Sequence, residues 1–300
     1  MTGTPSPLGF IGCGHMGGAM AERLLISGFA LVICDPDDKR LLPLTDRGAV
    51  AVATPREVAD RAQIVFACLP SPEISKKVAT GTEGVAGGST VKVYIESSTI
   101  GQATMVAIAE TLAARGISTL DMPVSGGPNW ARDGKLTAIL SGPPAAREIA
   151  APMLERLAGR VMVVGDRAGL GQVAKVVNNA LSLTGMMIAC EAVVAGVKAG
   201  LDARTLIDVI NASTGRNSAT ADKFPKAILP RTFAYGGPVG LGNKDLEMYL
   251  ELGRTSQAST ALGHSVAELW KTITAEIGGE RDLSEMVRYF EAIAGVEVRG

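Results

Sequence analysis

Leu8-Gly9-Phe10-Ile11-Gly12-Cys13-Gly14-His15-Met16-Gly17 is the stretch of this chain that decides its fold. An apolar β-rich run leads straight into a G-x-G-x-x-G, and helical spacing of apolar residues takes over from Met16 to Ser27. The glycine spacing alone is a weak signal, because 36 glycines among 300 residues make about 0.5 such matches expected by chance. Its surroundings make it specific. The turn follows a strand, opens a helix and leads to a second strand, Ala30–Cys34, which runs into Asp35 about 20 residues on, as a dinucleotide-binding turn requires. In that reading Gly12 permits the tight turn, Gly14 lets the backbone approach a pyrophosphate, and Gly17 lets helix and strand pack closely. The helix N-terminus then faces the phosphate charge. His15 lies inside the turn, where its backbone serves rather than its imidazole. Asp35 can accept hydrogen bonds from both ribose hydroxyls and repels a 2′-phosphate, which favours NAD; Arg40 nearby keeps NADP open.

From Pro7 to about Val164, short β-rich runs alternate with longer amphipathic ones, the pattern of a parallel sheet with crossover helices. The expected strands are Leu8–Ile11, Ala30–Cys34, Ile64–Cys68, Val91–Ile95, Ser118–Asp121, Thr137–Leu140 and Val161–Val164. Helical spacing marks Met16–Ser27, Ala103–Arg115 and Ala145–Leu157. From Ala168 the β-rich runs stop, and Val173–Ala199, Ala203–Ala212, Asp245–Leu252, Ser259–Glu276 and Leu283–Ala294 read as helices. The expected architecture is therefore an α/β doubly wound sheet over residues 1–165 and an all-α domain over 166–300.

Composition narrows the function classes. With 29 basic and 30 acidic side chains the net charge is −1, which provides no field for a phosphate backbone or an anionic lipid surface. No continuous apolar run of about 18 residues is present, so no membrane span is expected. Met1–Pro7 lacks a basic region ahead of an apolar one, so we expect no signal peptide and a cytoplasmic protein. Cys13, Cys34, Cys68 and Cys190 are far apart and the chain has only two histidines, so no metal site is expected; the cysteines read as small core residues.

Three further segments suggest chemistry. Gly169-Leu170-Gly171-Gln172-Val173-Ala174-Lys175-Val176-Val177-Asn178-Asn179 begins a strongly apolar helix with one cation, and Lys175 and Asn179 share a face at i,i+4. A lone helical lysine is usually solvated, but apolar neighbours make a buried, partnered amine plausible here. Burial lowers a lysine pKa, as proton exchange with a hydroxyl near neutral pH needs. Asn179 would then hold the amine or the substrate oxygen in line. In Asp121-Met122-Pro123-Val124-Ser125-Gly126-Gly127, Ser125 and the amides of Gly126 and Gly127 can cradle a carboxylate, or form a plain Gly-Gly turn. Lys244-Asp245 follows the glycine-rich Gly236–Gly242 and starts a helix, which is either a site or a surface helix start.

Taken in order, Gly12–Gly17 with Met16, Leu69-Pro70, Ser98-Thr99-Ile100, Asp121–Gly127, Gly169–Asn179 and Lys244-Asp245-Leu246 resemble the β-hydroxyacid dehydrogenases over nearly the whole chain. That group includes 3-hydroxyisobutyrate dehydrogenase and tartronate semialdehyde reductase, with 6-phosphogluconate dehydrogenase more distant. The resemblance implies a Rossmann domain, a helical domain that mediates homodimer or homotetramer formation, and a substrate site in an interdomain cleft. It implies Lys175 as general acid/base with Asn179 its companion, and Ser125, Gly126 and Gly127 on the substrate carboxylate. Leu69, Pro70 and Thr99 would join Gly12, Gly14, His15, Met16, Gly17 and Asp35 in the cofactor site, and Lys244 would lie beside nicotinamide and substrate. The expected activity is hydride transfer between NAD(P) and a small carboxylate-bearing β-hydroxy acid or its semialdehyde. Alternatives are an NADPH-dependent reductase of small aldehydes or imines, or a dinucleotide-binding module without turnover; Lys175 argues against imines and the complete residue set against the module.

The chain also departs from the pattern. Pro128-Asn129-Trp130-Ala131-Arg132 places an aromatic and a cation near the expected pocket rim, Gly236-Gly237-Pro238 stands where relatives often carry a phenylalanine, and Asn217 stands where a serine is common. These departures bear on the substrate and not on the reaction class.

Overall fold

The computed structural model describes residues 6–300, so the expectation about a leader in Met1–Pro7 falls largely outside the described residues. By contacts the chain divides into two compact units, one ending at Lys175 and one spanning Val176–Gly300.

The first unit is built on nine strands among the described residues: β1 Leu8–Ile11, β2 Leu31–Cys34, β3 Val50–Ala51, β4 Ile64–Ala67, β5 Val93–Glu96, β6 Ser118–Asp121, β7 Val124–Ser125, β8 Leu136–Ser141 and β9 Ala158–Gly165. Its helices are α1 His15–Ile26, α2 Asp38–Thr45, α3 Pro55–Arg61, α4 Pro72–Thr80, α5 Gln102–Ala113, α6 Gly127–Arg132 and α7 Pro144–Leu157. The strand order is β3-β2-β1-β4-β5-β6-β8-β7, with β9 also on β8. Side chains alternate across both faces. Phe10, Leu31, Ile33 and Phe66 join a core with α1 and α7, whereas Ile11, Val32, Val65 and Tyr94 join a second core with α3 and α5. A sheet covered on both faces is the doubly wound arrangement.

Strands β3 to β6 are parallel, as expected, but β8 is antiparallel to β6 and β7. The link from β7 to β8 carries only the six-residue α6, too little for a crossover of about a dozen residues, so the chain turns back. Helix α7 then restores the crossover and makes β9 parallel to β8.

The second unit contains most of α8 Leu170–Lys198, then α9 Ala203–Ala212, α10 Leu241–Ser256, α11 Ala261–Ile277 and α12 Val287–Ala294, with a π-helical segment at Ala219–Ile228. Its core packs Met186, Cys190, Val193 and Val194 of α8 against Phe224, Val239, Trp270 and Phe290. Trp270 is fully buried, and its indole N–H donates to the Val239 carbonyl at 2.9 Å. A Cβ at Gly242 would lie 2.4 Å from that ring, so the glycine makes room for the tryptophan. The Gly236-Gly237 pair has φ of +106° and +90°, which side chains rarely adopt, and is pinned by Asp282 accepting the Gly236 N–H at 2.7 Å.

Two expectations need correction. Helix α10 starts at Leu241, so Lys244 and Asp245 lie within the helix rather than at its start. Helix α8 has 29 residues and contains an 18-residue stretch of mean hydropathy 1.8, long and apolar enough by length and composition to cross a bilayer, although no unbroken apolar run of that length exists. Part of this apolar surface, including Met186, Cys190, Val193 and Val194, packs into the helical core.

Candidate active site

The first turn is shaped by steric necessity. Gly12 has φ of +88° and an added Cβ would sit 2.3 Å from the Cys68 carbonyl oxygen; at Gly17 it would sit 1.9 Å from the Gly12 oxygen. Packing within the chain therefore explains Gly12 and Gly17. Gly14 differs, because a Cβ there would meet nothing nearer than Arg40 Nη1 at 3.9 Å. The space in front of Gly14 is open, as close approach of a pyrophosphate requires. Gly14 caps α1 without a side-chain hydrogen bond and no acidic residue occupies the first turn, so the positive helix end faces that space uncompensated. His15 is exposed on the first turn of α1, and Met16 packs on the core beneath. The cradle thus fits a dinucleotide. We expect Gly17→Ala, whose methyl group must push α1 off the turn, to weaken NADH binding at least about tenfold in a fluorescence titration.

At the end of β2 the Asp35 carboxylate is buried. Its Oδ2 accepts the Cys13 N–H at 2.7 Å and its Oδ1 the Asp37 N–H at 2.9 Å, which locks the strand end to the glycine turn. Arg40 approaches Asp35 at 3.6 Å and Asp37 at 3.3 Å while remaining half exposed. The neighbouring thiols are not reactive groups: burial, reinforced by Asp35, pushes Cys13 up to about 12 and Cys34 up to about 11.

Leu69, Pro70 and Thr99 lie on the loops that follow β4 and β5. These loops are tied together. The Leu69 N–H donates to Ser98 Oγ at 2.6 Å, and Ser98 Oγ in turn donates to Glu96. Glu96 also accepts from the Tyr94 hydroxyl at 2.8 Å, and burial raises its carboxyl despite these donors.

Ser125 ends β7 and is half-buried, while Gly126 and Gly127 have φ of +133° and +82° and open α6. A Cβ at Gly126 would meet the Trp130 side chain at 3.0 Å, so this tryptophan packs beside the turn. Arg132 does not face the turn, since it pairs with Glu22 of α1 at 3.3 Å.

The first turn of α8 is anchored by residues that sequence reasoning did not single out for this role. Asp121 Oδ2 accepts the N–H groups of Gly169 and Gln172, both at 2.9 Å, which places a carboxylate at the positive end of the helix. Gln172 is fully buried, with every polar valence used: Oε1 accepts from Ile100 and Gly101, and Nε2 donates to the Ser98 carbonyl at 3.0 Å and to Asp121 Oδ1 at 2.7 Å. A Cβ at Gly171 would come within 2.9 Å of Asp121 Oδ2. The Asp121 carboxyl is raised by burial, with the Gln172 and Gly169 donors opposing that shift. One turn on, Lys175 is 8% exposed, and Asn179 shares its helix face. Asn179 Nδ2 donates to Asp245 Oδ2 at 2.7 Å, and Lys244 Nζ lies 3.8 Å from Asp245 Oδ1. Asp245 is the side chain that orients Asn179, and its place beside Lys244 was the available sequence signal. Asn217 is half-buried, and its Oδ1 accepts the N–H groups of Ala219 and Thr220 at 2.8 and 3.2 Å.

Comparison with known proteins identifies the family. Residues 7–165 match the family described as the NAD binding domain of 6-phosphogluconate dehydrogenase, and residues 169–290 match the NAD-binding of NADP-dependent 3-hydroxyisobutyrate dehydrogenase. A 2-(hydroxymethyl)glutarate dehydrogenase of Eubacterium barkeri is 32% identical, with 98% of this chain and 97% of that protein covered. A 3-hydroxyisobutyrate dehydrogenase of Pseudomonas aeruginosa is 36% identical, with 85% and 88% covered. The solved Mycobacterium tuberculosis 3-hydroxyisobutyrate dehydrogenase with L-serine superposes with a TM-score of 0.87 at 28% identity, covering 95% of this chain and 99% of that one. The chain therefore belongs to the β-hydroxyacid dehydrogenase family and is an oxidoreductase that uses NAD(P) on hydroxy acids.

Proposed function

We propose that this enzyme interconverts a small carboxylate-bearing β-hydroxy acid and its semialdehyde, in the manner of 3-hydroxyisobutyrate dehydrogenase, with Lys175 as general acid/base. The observation that carries this reading is a buried lysine held one turn beyond an anchored helix start, with an oriented asparagine on the same face. The nicotinamide, when bound, accepts or returns the hydride. Lys175 Nζ takes the hydroxyl proton in oxidation and gives it back to the carbonyl oxygen in reduction. Asn179, turned by Asp245, donates to the same oxygen and fixes its line of approach. Ser125 and the Gly126 and Gly127 amides hold the carboxylate, and Lys244 supplies positive charge beside it.

Gly12, Gly14, His15, Met16, Gly17, Asp35, Leu69, Pro70 and Thr99 form the cofactor site in this reading. NAD is the preferred cofactor, because the Asp35 carboxylate opposes a 2′-phosphate more directly than half-exposed Arg40 attracts one. The functional division falls at residue 165, with residues 166–300 serving substrate binding and assembly. Exposed Val177, Leu181 and Ile188 recur on one stripe of α8, an apolar surface suited to a second copy in a homodimer or homotetramer, and the cytoplasm is the expected location.

A spectrophotometric panel tests this reading: 3-hydroxyisobutyrate, threonate, tartronate semialdehyde, succinic semialdehyde and the diacid 2-(hydroxymethyl)glutarate, each with NAD(H) and NADP(H). Turnover with at least about tenfold preference for NAD is expected. No nicotinamide-linked absorbance change with any of them would overturn the activity, and a tenfold preference for NADP would overturn the role given to Asp35.

A further inference from the structure

The face of α8 that carries Lys175 and Asn179 continues to Ser182, which lies about 4.5 Å further along the axis at 1.5 Å per residue. Ser182 Oγ is 3.3 Å from Ser218 Oγ, and Ser218 Oγ accepts a hydrogen bond from Lys223 Nζ at 3.3 Å. Ser218 is exposed, whereas Lys223 is only 5% exposed, so the amine sits one hydroxyl behind the surface. Lysines are rarely buried without a paired charge. Yet Lys223 forms no ion pair among the described residues. Its neighbour Asp222 acts on the amine through its charge without forming an ion pair, since its hydrogen bonds go to the Tyr235 hydroxyl at 2.6 Å and to Lys226. The Tyr235 ring lies 5.2 Å from the amine, and Cys190 is fully buried, which keeps its thiol neutral. Burial holds Lys223 below the ordinary lysine value, so an arriving anion would gain a desolvated partner.

We propose that Lys223, presented through Ser218 and Ser182, recognises a second carboxylate, and that the substrate is a hydroxy dicarboxylate or its semialdehyde. This rests on the assignment of Lys175 and Asn179 to the reacting hydroxyl. A substrate lying along the helix face from that hydroxyl reaches Ser182 and Ser218 within about one turn, ~5 Å, the length of a short carbon chain.

The test is calorimetric titration of the NADH-loaded protein with glutarate and with butyrate, neither of which can be oxidised. Wild type should bind glutarate at least about tenfold more tightly, and Lys223→Met should reduce that preference to under about twofold while Lys223→Arg keeps most of it. Ser218→Glu, an exposed position that does not endanger the core, should also remove the preference by placing a carboxylate on Lys223. In kinetics, Lys223→Met should lower kcat/KM for a hydroxy diacid, through KM, at least about tenfold more than for a hydroxy monoacid. A wild type without preference for glutarate, or a Lys223→Met or Ser218→Glu variant that keeps it, would overturn the proposal. So would a wild type that favours polyhydroxy monoacids over diacids. Turnover of hydroxy monoacids without any diacid preference defeats this subsite alone, whereas glutarate preference without turnover of any hydroxy acid defeats the catalytic reading.

Discussion

We expect Lys175→Ala to retain NADH binding and to lose at least about 100-fold in turnover, the scale of general acid/base catalysis. The loss should fall on kcat and kcat/KM alike, because the amine exchanges a proton only as the reaction proceeds. NADH binding is assigned in the proposed reading to the glycine turn, Asp35 and the loops after β4 and β5, so fluorescence titration with NADH should give a dissociation constant within about threefold of wild type. A variant with near wild-type turnover would sink the assignment.

The second large effect is structural. Gln172→Ala leaves the Ile100 and Gly101 N–H groups, the Ser98 carbonyl and Asp121 Oδ1 without the partner they now share. Each buried polar group left unpaired costs about 1–3 kcal/mol, and water admitted to the vacated volume recovers part of it. We expect a net destabilisation of about 3 kcal/mol, a fall in Tm of roughly 6–12 °C for a unit of this size, with activity reduced through loss of Lys175 alignment. Unchanged Tm in a thermal melt would show that the network carries no strain on removal and that α8 is held by other contacts.

Much of the fold was legible in the sequence because its decisive signals are local. The strand, glycine turn and helix of residues 8–26 declare themselves within one window, and the switch from strand to helix periodicity near Ala168 separates the two architectures. The antiparallel return of β8 was not legible, since it depends on how little chain α6 provides. Short elements such as β3 and β7 have two residues each and no period to read. Helices α3 and α4 were passed over although Thr54-Pro55 and Ser71-Pro72 are N-cap signals, with Thr54 and Ser71 accepting from Glu57 and Ile74. In the site, the glycines and Lys175 stood out by motif. Gln172, Asp121 and Lys223 did not, because their meaning lies in burial and in partners distant along the chain.

That distance has a consequence for how the enzyme is made. Gln172 bonds to Asp121, Ser98, Gly101 and Ile100 across separations of 51, 74, 71 and 72 residues. Contacts of such range form only after the loops between them have closed at an entropic cost, so the first turn of α8 locks when β5 and β6 are already side by side. We therefore expect amide-exchange protection in the first turn of α8, the turn before Lys175, to appear during refolding no earlier than that of β5 and β6.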